Sequence, residues 1–196
     1  KMLVVVEDDV NIHDYDALAR AFKANFNADY SLHFSKGPLD VLDHSSQKLA
    51  FGSKLGIDLT RPLSEELPEK DNRKAMQTKL FNSDDFSNID KITGSLDLDS
   101  AKGIPVLLLN VKKDGEFKKT DLQSALEKIQ GIEKFKAVLL FDEGIPLTEL
   151  FTLVWLLGGN LEPNRDITFI QRKNQKRIVL ADATVKTGQH DKFKRD

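Results

Sequence analysis

The chain opens with Lys1-Met2-Leu3-Val4-Val5-Val6 and then turns acidic at Glu7-Asp8-Asp9. A run of apolar and β-branched residues predicts a buried β-strand, and three consecutive carboxylates end it. A stripe of apolar residues at helical spacing follows, and either Asn11 or Asp14 can cap the first turn of that helix. The stripe consists of Tyr15, Leu18, Ala19, Phe22 and Phe26. The opening of the chain therefore predicts a strand, an acidic turn and an amphipathic helix.

The remainder of the first hundred residues is less regular. A second strand is predicted at 30–34 and a short helix at 39–42. Residues 52–60 contain two glycines, which predict a loop that enters a short strand. Residues 61–100 are rich in charge and keep no apolar period for long, so we interpret them as a charged connector or insertion, with a helix predicted at 66–81.

Strands and helices alternate again from residue 101 onward. The segment Thr120-Asp121-Leu122-Gln123 has the spacing of a capping box at the start of one helix. Strands are predicted at 105–109, 137–141, 166–170 and 177–181, and a further helix at 147–157. This alternation predicts an α/β fold with a mainly parallel sheet, or a mixed one, covered by helices on both faces.

An internal duplication of a strand–helix–strand unit is also predicted. An offset of 135 residues aligns the two halves, pairing Phe34 with Phe169 and Val5 with Leu140. After a gap, Ile57-Asp58-Leu59-Thr60 resembles Ala181-Asp182-Ala183-Thr184. Because Lys1 opens a strand directly, we expect the chain to be cut from a longer one. The predicted organisation is a first α/β unit at 1–60, the connector at 61–100 and a second α/β unit at 101–196, together one C-terminal domain.

Composition excludes several classes of function. The 196 residues contain 29 Lys and Arg against 31 Asp and Glu, a net charge of −2, whereas nucleic-acid and membrane-surface binders carry a strongly basic balance. The absence of cysteine excludes disulfides and thiolate sites, and it fits a reducing compartment such as the cytoplasm. No apolar run is long enough to span a membrane. The histidines, which are His13, His33, His44 and His190, lack the spacing of a metal site.

The acidic turn allows three interpretations. Phospho-acceptor receiver domains hold Mg²⁺ with an acidic pair beside a phosphorylated aspartate, and Asp8, Asp9 and Asp58 would form such a pocket in a receiver-like regulatory domain. The simpler interpretation is that the carboxylates complement the helix N-terminus and solvate the turn. The third is a contact at a domain junction.

A second notable feature is the helix predicted around residues 150–157. Its sequence, Leu-Phe-Thr-Leu-Val-Trp-Leu-Leu, is apolar on every side, and Gly158-Gly159 closes it. Such a helix is either buried in the core or carries a surface that meets another subunit or domain. Trp155 lies at the centre of the run.

Taken together, these stretches resemble one family, the UbiD-type decarboxylases, in their C-terminal domain. The resemblance rests on Lys1 to Asn11, the helix that follows, and Gly52-Ser53-Lys54-Leu55-Gly56-Ile57-Asp58. The second half adds Glu162-Pro163-Asn164-Arg165-Asp166, similar to the family's aspartate-proline-x-arginine-aspartate segment, and Asp182-Ala183-Thr184, similar to its aspartate-alanine-threonine ending.

The resemblance implies a parent enzyme of the carboxy-lyase class, acting on aromatic or α,β-unsaturated acids in ubiquinone or menaquinone synthesis. It implies prenylated flavin mononucleotide and a divalent metal as cofactors, both bound upstream of this chain, so no catalytic, cofactor-binding or metal-binding residue is assigned here. The domain is expected to close over the active site, to contact the N-terminal and middle domains of its own chain, and to build a homo-oligomer. It is expected to be inactive in isolation. The candidate interface residues are Asp8, Asp9, Asn11, Trp155 and Arg165.

Overall fold

The computed structural model of the protein describes residues 1–46, 48–63, 65, 81–114, 118–171 and 175–186. The strands within these ranges are β1 (Met2–Val5), β2 (Leu32–Pro38), β3 (Phe51–Asp58), β4 (Ile92–Asp97), β5 (Val106–Val111), β6 (Ala137–Asp142), β7 (Ile167–Ile170) and β8 (Ile178–Asp182). The helices are α1 (Tyr15–Asn25), α2 (Leu98–Lys102), α3 (Lys119–Leu126), α4 (Leu150–Asn160) and α5 (Pro163–Asp166), with 3₁₀ turns at Ser83–Asn88 and Ile132–Lys134.

The strands form two mixed sheets. Sheet A has the order β1-β3-β2, in which β1 is parallel and β2 antiparallel to β3. Sheet B has the order β4-β5-β6-β8-β7, with β5, β6 and β8 parallel and both edge strands antiparallel to their neighbours. The predicted α/β fold is confirmed. The expectation of a mainly parallel sheet is wrong, and the mixed alternative holds, because β2–β3, β4–β5 and β7–β8 pair strands consecutive in sequence without a long crossover.

The glycine-containing segment, predicted as a loop that enters a short strand, is strand β3 over most of its length and forms the centre of sheet A. Strand β3 has a hydrogen-bonded neighbour on each side, and that pairing outweighs the weak strand propensity of its glycines. Gly52 is needed there because a Cβ at this position would come within 2.7 Å of Leu39 Cδ1 and 2.8 Å of Ser46 Cβ. Residues 39–42, predicted as a short helix, form an extended stretch and a turn that bring the chain back from β2 to β3.

Helix boundaries follow the sequence pattern more closely in the first unit than in the second. Asp14 caps α1 as predicted, and its Oδ1 accepts hydrogen bonds from the Asp16 and Ala17 backbone N–H groups. The predicted capping box at Thr120 is wrong, because Thr120 lies inside α3, which begins at Lys119, and no side chain caps the helix. Most of the predicted helix at 66–81 lies outside the described residues.

The two halves of the chain repeat the same topology in the same register. Sheet A is ordered β1-β3-β2, and β6-β8-β7 have the same order and directions within sheet B. Val5 lies opposite Asp58, and Leu140 lies opposite Asp182. The 135-residue offset carries α1 onto α4, residue for residue.

The repetition extends to individual hydrogen bonds. In the first unit Asn25 Nδ2 donates to the Leu59 carbonyl, and in the second Asn160 Nδ2 donates to the Ala183 carbonyl. Thr60 donates its backbone N–H and its hydroxyl to Asp58 Oδ1, just as Thr184 does to Asp182 Oδ1. The hydrogen bond from Leu59 N to the Val5 carbonyl has its counterpart in the bond from Ala183 N to the Leu140 carbonyl. Shared side-chain hydrogen bonds of this kind are stronger evidence for an internal repeat than a shared topology.

Two apolar clusters hold the described residues together. The first contains residues of both sheets and of α1 and α4, so it joins the two units into one core. The second lies between sheet B and α3, where Leu122 and Leu126 pack against Val138, Leu140 and Leu180. Sheet B is therefore covered by helices on both faces, as predicted, whereas the part of sheet A around β1 is exposed.

Candidate domain-interface site

The acidic turn between β1 and α1 is an exposed structure tied to the end of β3. Glu7 Oε1 accepts a hydrogen bond from the Arg61 backbone N–H at 2.7 Å, and Arg61 Nη2 contacts Asp9 Oδ2 at 3.1 Å. Asp8 and Asp9 are exposed. The same edge of sheet A thus carries carboxylates that are accessible to a neighbouring domain.

Asp58 lies at this edge but in a different role. Its Oδ1 accepts hydrogen bonds from the Thr60 hydroxyl at 2.7 Å and the Thr60 backbone N–H at 2.8 Å. These bonds lower the pKa of Asp58. A receiver-like pocket made of Asp8, Asp9 and Asp58 is therefore not favoured: Asp58 is engaged in a local turn, and sheet A is a three-stranded mixed sheet rather than the parallel sheet of a receiver.

Asn11 closes the turn and precedes the helix cap. Its Oδ1 accepts a hydrogen bond from the His13 backbone N–H at 3.0 Å, and its carbonyl accepts one from Asp14 N. Asn11 is exposed, so the structure groups it with Asp8 and Asp9 on one surface of the first unit.

Trp155 lies on the outer face of α4 and is not buried in the core. Trp155 is 72% exposed and Phe151, one turn earlier, is 81% exposed, with their ring centroids 6.5 Å apart. Val154 and Leu150 extend the apolar surface along the helix. We call these four residues the α4 patch. A cluster of large apolar side chains at this exposure is typical of an interaction surface.

Helix α1 provides an internal comparison for the α4 patch. The 135-residue offset places Asp16 at the position of Phe151 and Arg20 at the position of Trp155. The same helix position is therefore charged in one unit and aromatic in the other. The apolar character of α4 is a property of the second unit and is not required by the repeated fold.

Arg165, the fifth candidate residue, makes its hydrogen bonds inside the second unit. Its guanidinium donates to both carboxylate oxygens of Asp166, with Nε–Oδ1 2.8 Å and Nη2–Oδ2 2.7 Å, and to the Asn160 carbonyl at 3.0 Å. Asp166 is 1% exposed. Burial alone would lower the pKa of Arg165, but the paired carboxylate of Asp166 raises it. Arg165 therefore neutralises a buried charge and fixes the segment after α4.

A second buried carboxylate, Asp182, extends this network. Lys186 Nζ lies 3.0 Å from Asp182 Oδ1 and 3.6 Å from Asp166 Oδ1. Burial would raise the pKa of Asp182, but the charge of Lys186 and the hydrogen bonds from Thr184 keep it below its ordinary value. Both buried carboxylates are thus compensated within the chain.

The structure adds a set of contacts at the junction of the two units that the sequence reasoning missed. Glu162 Oε1 accepts hydrogen bonds from the backbone N–H and the hydroxyl of Ser53, and the Ser53 Oγ accepts one from Asn164 N at 2.9 Å. On the other side, Arg177 donates to the Ala28 carbonyl at 3.1 Å and to Asp29 Oδ1 at 2.6 Å.

These junction contacts are reciprocal. Arg177, which immediately precedes β8, occupies the position that corresponds to Ser53 by the offset of 124 residues that separates Asp58 from Asp182. Likewise, Ala28 and Asp29 correspond to Pro163 and Asn164 by the 135-residue offset. Contacts that recur in this exchanged form are the signature of a two-fold arrangement, so the units pack about an approximate internal two-fold axis. Ser53 and Arg177 have chemically different side chains, so the sequence repeat gives no indication of these contacts.

The described residues do not fit the metal site that the family resemblance implies for the parent. Within the described ranges no group of three or more His, Asp or Glu side chains is close enough to hold a metal ion. The buried carboxylates are already paired with Arg165 and Lys186. The part of the chain described here contains no helix long and apolar enough to cross a membrane.

Comparison with known proteins gives a family match for the first unit. Residues 1–59 match the sequence profile of the 3-octaprenyl-4-hydroxybenzoate carboxy-lyase C-terminal domain. An uncharacterised protein of Helicobacter pylori is 28% identical over 196 residues, which is 99% of this chain and 29% of that protein. A protein of Aquifex aeolicus is 36% identical over 66 residues, 34% of this chain and 14% of its own length. The chain thus spans less than a third of the relatives it matches.

The solved structures that align with part of this chain include a UbiD-class enzyme and a vanillic acid decarboxylase. The HmfF enzyme of Pelotomaculum thermopropionicum in complex with prFMN aligns with 57% of this chain and 24% of its own, at 18% identity and a TM-score of 0.42. The vanillic acid decarboxylase of Sedimentibacter hydroxybenzoicus in open form aligns with 85% of this chain and 40% of its own, at 15% identity and a TM-score of 0.45. The match of residues 1–59 to the family profile confirms the resemblance that the motifs indicated: the first unit of this chain is similar to the C-terminal domain of the UbiD-type carboxy-lyases.

Proposed function

We propose that this chain is the C-terminal part of a UbiD-type decarboxylase, in which it closes over the active site and builds the oligomer. The observation that carries the proposal is the match of residues 1–59 to the family's C-terminal domain. In this proposal residues 61–100 lead from the first α/β unit, 1–60, to the second, 101–196, of a single domain, and their last part supplies β4, the edge strand of sheet B. The chain itself supplies no catalytic residue.

The parent enzyme is proposed to decarboxylate an aromatic or unsaturated acid in quinone biosynthesis, in the cytoplasm. Its cofactors would be prenylated flavin mononucleotide and a divalent metal, bound by the N-terminal and middle domains. When bound, the flavin would supply the difficult chemistry of such a reaction. The relatives that this chain matches are more than three times its length, which leaves room for those domains.

Assembly is proposed to use the α4 patch. Aromatic side chains that are exposed in one chain and become buried at a subunit contact supply most of the affinity of typical interfaces. The charged counterparts on α1 support this, because solubility of the isolated fold would favour charge on α4 as well.

A direct test of the inactive-fragment proposal is to mix the 196-residue chain with prenylated flavin and a panel of aromatic acids. We expect neither flavin binding by fluorescence titration nor release of CO₂. Saturable flavin binding or measurable decarboxylation by the chain alone would contradict the proposal.

The assembly role is tested in the parent protein with Trp155→Glu. A buried charge at a subunit contact is costly, so we expect the mass in solution, measured by light scattering, to fall to a smaller species. Tyr15→Glu is the matched control, because Tyr15 is an exposed aromatic residue on α1. An unchanged mass for Trp155→Glu, with the protein still folded, would remove the α4 patch from the interface.

A further inference from the structure

Strand β1 has the composition of a buried strand but is exposed on both faces. Leu3 is 65% and Val5 44% exposed, and their neighbours Met2 and Val4 are also exposed. Parallel strands that are apolar on both sides are normally covered on both faces. A cavity of about 520 Å³ adjoins the beginning of β1, with Leu3 and Gly56 in its wall.

The outer edge of β1 is open as well. The Lys1 carbonyl accepts a hydrogen bond from Leu55 N of β3, and the Val5 carbonyl accepts one from Leu59 N just after β3, so alternate residues of β1 turn their backbone groups toward β3. The N–H and C=O groups of Met2 and Val4 consequently point to the open edge, where none of the described strands pairs with them. An unpaired apolar edge is a template for another strand.

The second unit shows what covers the equivalent surface. Val138 and Leu140 of β6 correspond to Leu3 and Val5, and both are 0% exposed. They lie under α3, and the outer edge of β6 is paired in parallel with β5. Both covering elements directly precede β6 in the chain, as a right-handed parallel crossover requires a strand and then a helix.

We propose that sheet A is completed in the same way by a strand and a helix that precede Lys1 in the longer parent chain. The strand pairs in parallel with the Met2–Val4 edge, and the helix covers Leu3 and Val5. The inference rests on the proposed function in that it needs a longer chain, and the H. pylori relative, of which this chain spans 29%, has the length for it. His33 and Lys54 lie on the same face beyond β1, so the cover is confined to the β1 side.

The test compares two cysteine variants of the parent protein. The 196 residues of this chain contain no cysteine of their own. Leu3→Cys probes the proposed contact, and Leu49→Cys, at a similarly exposed residue in a turn, is the control. Each is labelled with a maleimide under native conditions, and the rate is measured by mass spectrometry of the labelled peptide. In the parent we expect Leu3→Cys to react at least about tenfold more slowly than the control, a factor that about 1.4 kcal/mol of local protection gives.

In the 196-residue chain alone the two variants are expected to react at similar rates. Equal rates in the parent would overturn the proposal, and so would protection of Leu3→Cys that is already present in the 196-residue chain, since the cover would then come from this chain or from a second copy. Hydrogen exchange of the unmodified β1 peptide, slower in the parent than in the chain alone, provides the same answer if Leu3→Cys does not fold. A parent that decarboxylates normally but leaves Leu3→Cys reactive overturns this inference and leaves the proposed function standing.

Discussion

Lys136 is the residue at which the second unit contacts the end of α1. Its ammonium group donates hydrogen bonds to the carbonyls of Phe22, Lys23 and Phe26, at 3.3, 2.6 and 2.7 Å. These carbonyls belong to the last turn of α1, where a helix leaves its acceptors unsatisfied. Burial lowers the pKa of Lys136 from its ordinary value to about 8. One lysine therefore caps a helix of the other unit at the cost of partial desolvation.

A pH dependence follows from that pKa. Between pH 8 and about 10.5 the unfolded chain binds a proton at Lys136 that the folded chain has released, so the free energy of unfolding rises with pH in this interval. Below pH 8 the lysine is charged in both states and contributes no slope. In urea titrations at several pH values, Lys136→Met should show a flatter rise than the wild type.

The control for this measurement is Lys112→Met, which removes an exposed lysine that follows β5. It should leave the slope of the wild type unchanged. Identical slopes for Lys136→Met and the wild type would show that Lys136 does not release its proton on folding in this interval.

The interface residues show what local sequence reveals and what it does not. Asp14 was readable as a cap because its partners lie two and three residues away. Ser53 and Glu162 are 109 residues apart, so their contact depends on how the units pack and leaves no local pattern. Their one signal was that both lie in stretches that carried the family resemblance. The interface role of Arg165 stays a prediction, and in the structure its guanidinium is bound to the buried carboxylate of Asp166 in its own unit.

At the scale of elements, α4 combines an exposed aromatic face with two glycines in its last turn. A Cβ at Gly158 or Gly159 would meet no atom within 4 Å, so neither glycine is required by packing inside the chain. Glycine is a poor helix former because its backbone loses more conformational freedom on folding than that of alanine. Because they have no side chains, the glycines leave the helix backbone exposed just beyond the α4 patch.

Replacing these glycines with alanine should stabilise the isolated chain. For Gly158→Ala and Gly159→Ala we expect the free energy of unfolding to rise by up to about 1 kcal/mol each, less if the last turn frays. Gly144→Ala is the matched control, because its surroundings are equally open but its φ of 81° strains any other residue. That variant should be destabilised by roughly 1 kcal/mol. Urea denaturation gives all three values, and a loss of stability for the α4 variants would show that the glycines are needed within the chain.

The elements also show the limits of pattern reading. Strand β6 and helix α1 were found because a buried strand and an amphipathic helix each carry a local period. The central position of β3 was missed, since strand order is decided by partners distant in sequence and not by the two glycines inside it. For the same reason the sequence left a mainly parallel sheet and a mixed sheet as alternatives.

At the scale of the whole molecule, one apolar cluster joins both units. Phe26 and Leu55 of the first unit share it with Leu161 and Ile167 of the second. Phe26 and Leu161 occupy equivalent positions after α1 and α4, and both are buried. A shared core predicts that the units unfold together even though each repeats the same fold.

We therefore expect a single cooperative urea transition for the 196-residue chain. Phe26→Ala should lower the free energy of unfolding by about 3–5 kcal/mol and Leu161→Ala by about 2–5 kcal/mol, because each leaves a cavity in the common cluster. Trp155 fluorescence, which reports on the second unit, should move to lower urea with Phe26→Ala in the first. If the urea midpoint of the Trp155 fluorescence transition is the same in Phe26→Ala as in the wild type, the units unfold independently.

The reciprocal packing of Ser53 with Glu162 and of Arg177 with Ala28 and Asp29 has a consequence for symmetry at larger scale. A lone unit would need a partner chain to satisfy such contacts, but here the polypeptide is its own partner. These reciprocal contacts are therefore already satisfied within one molecule. Under the proposed assembly, we therefore expect subunit contacts in the parent to use surfaces on which the two units differ, such as the α4 patch.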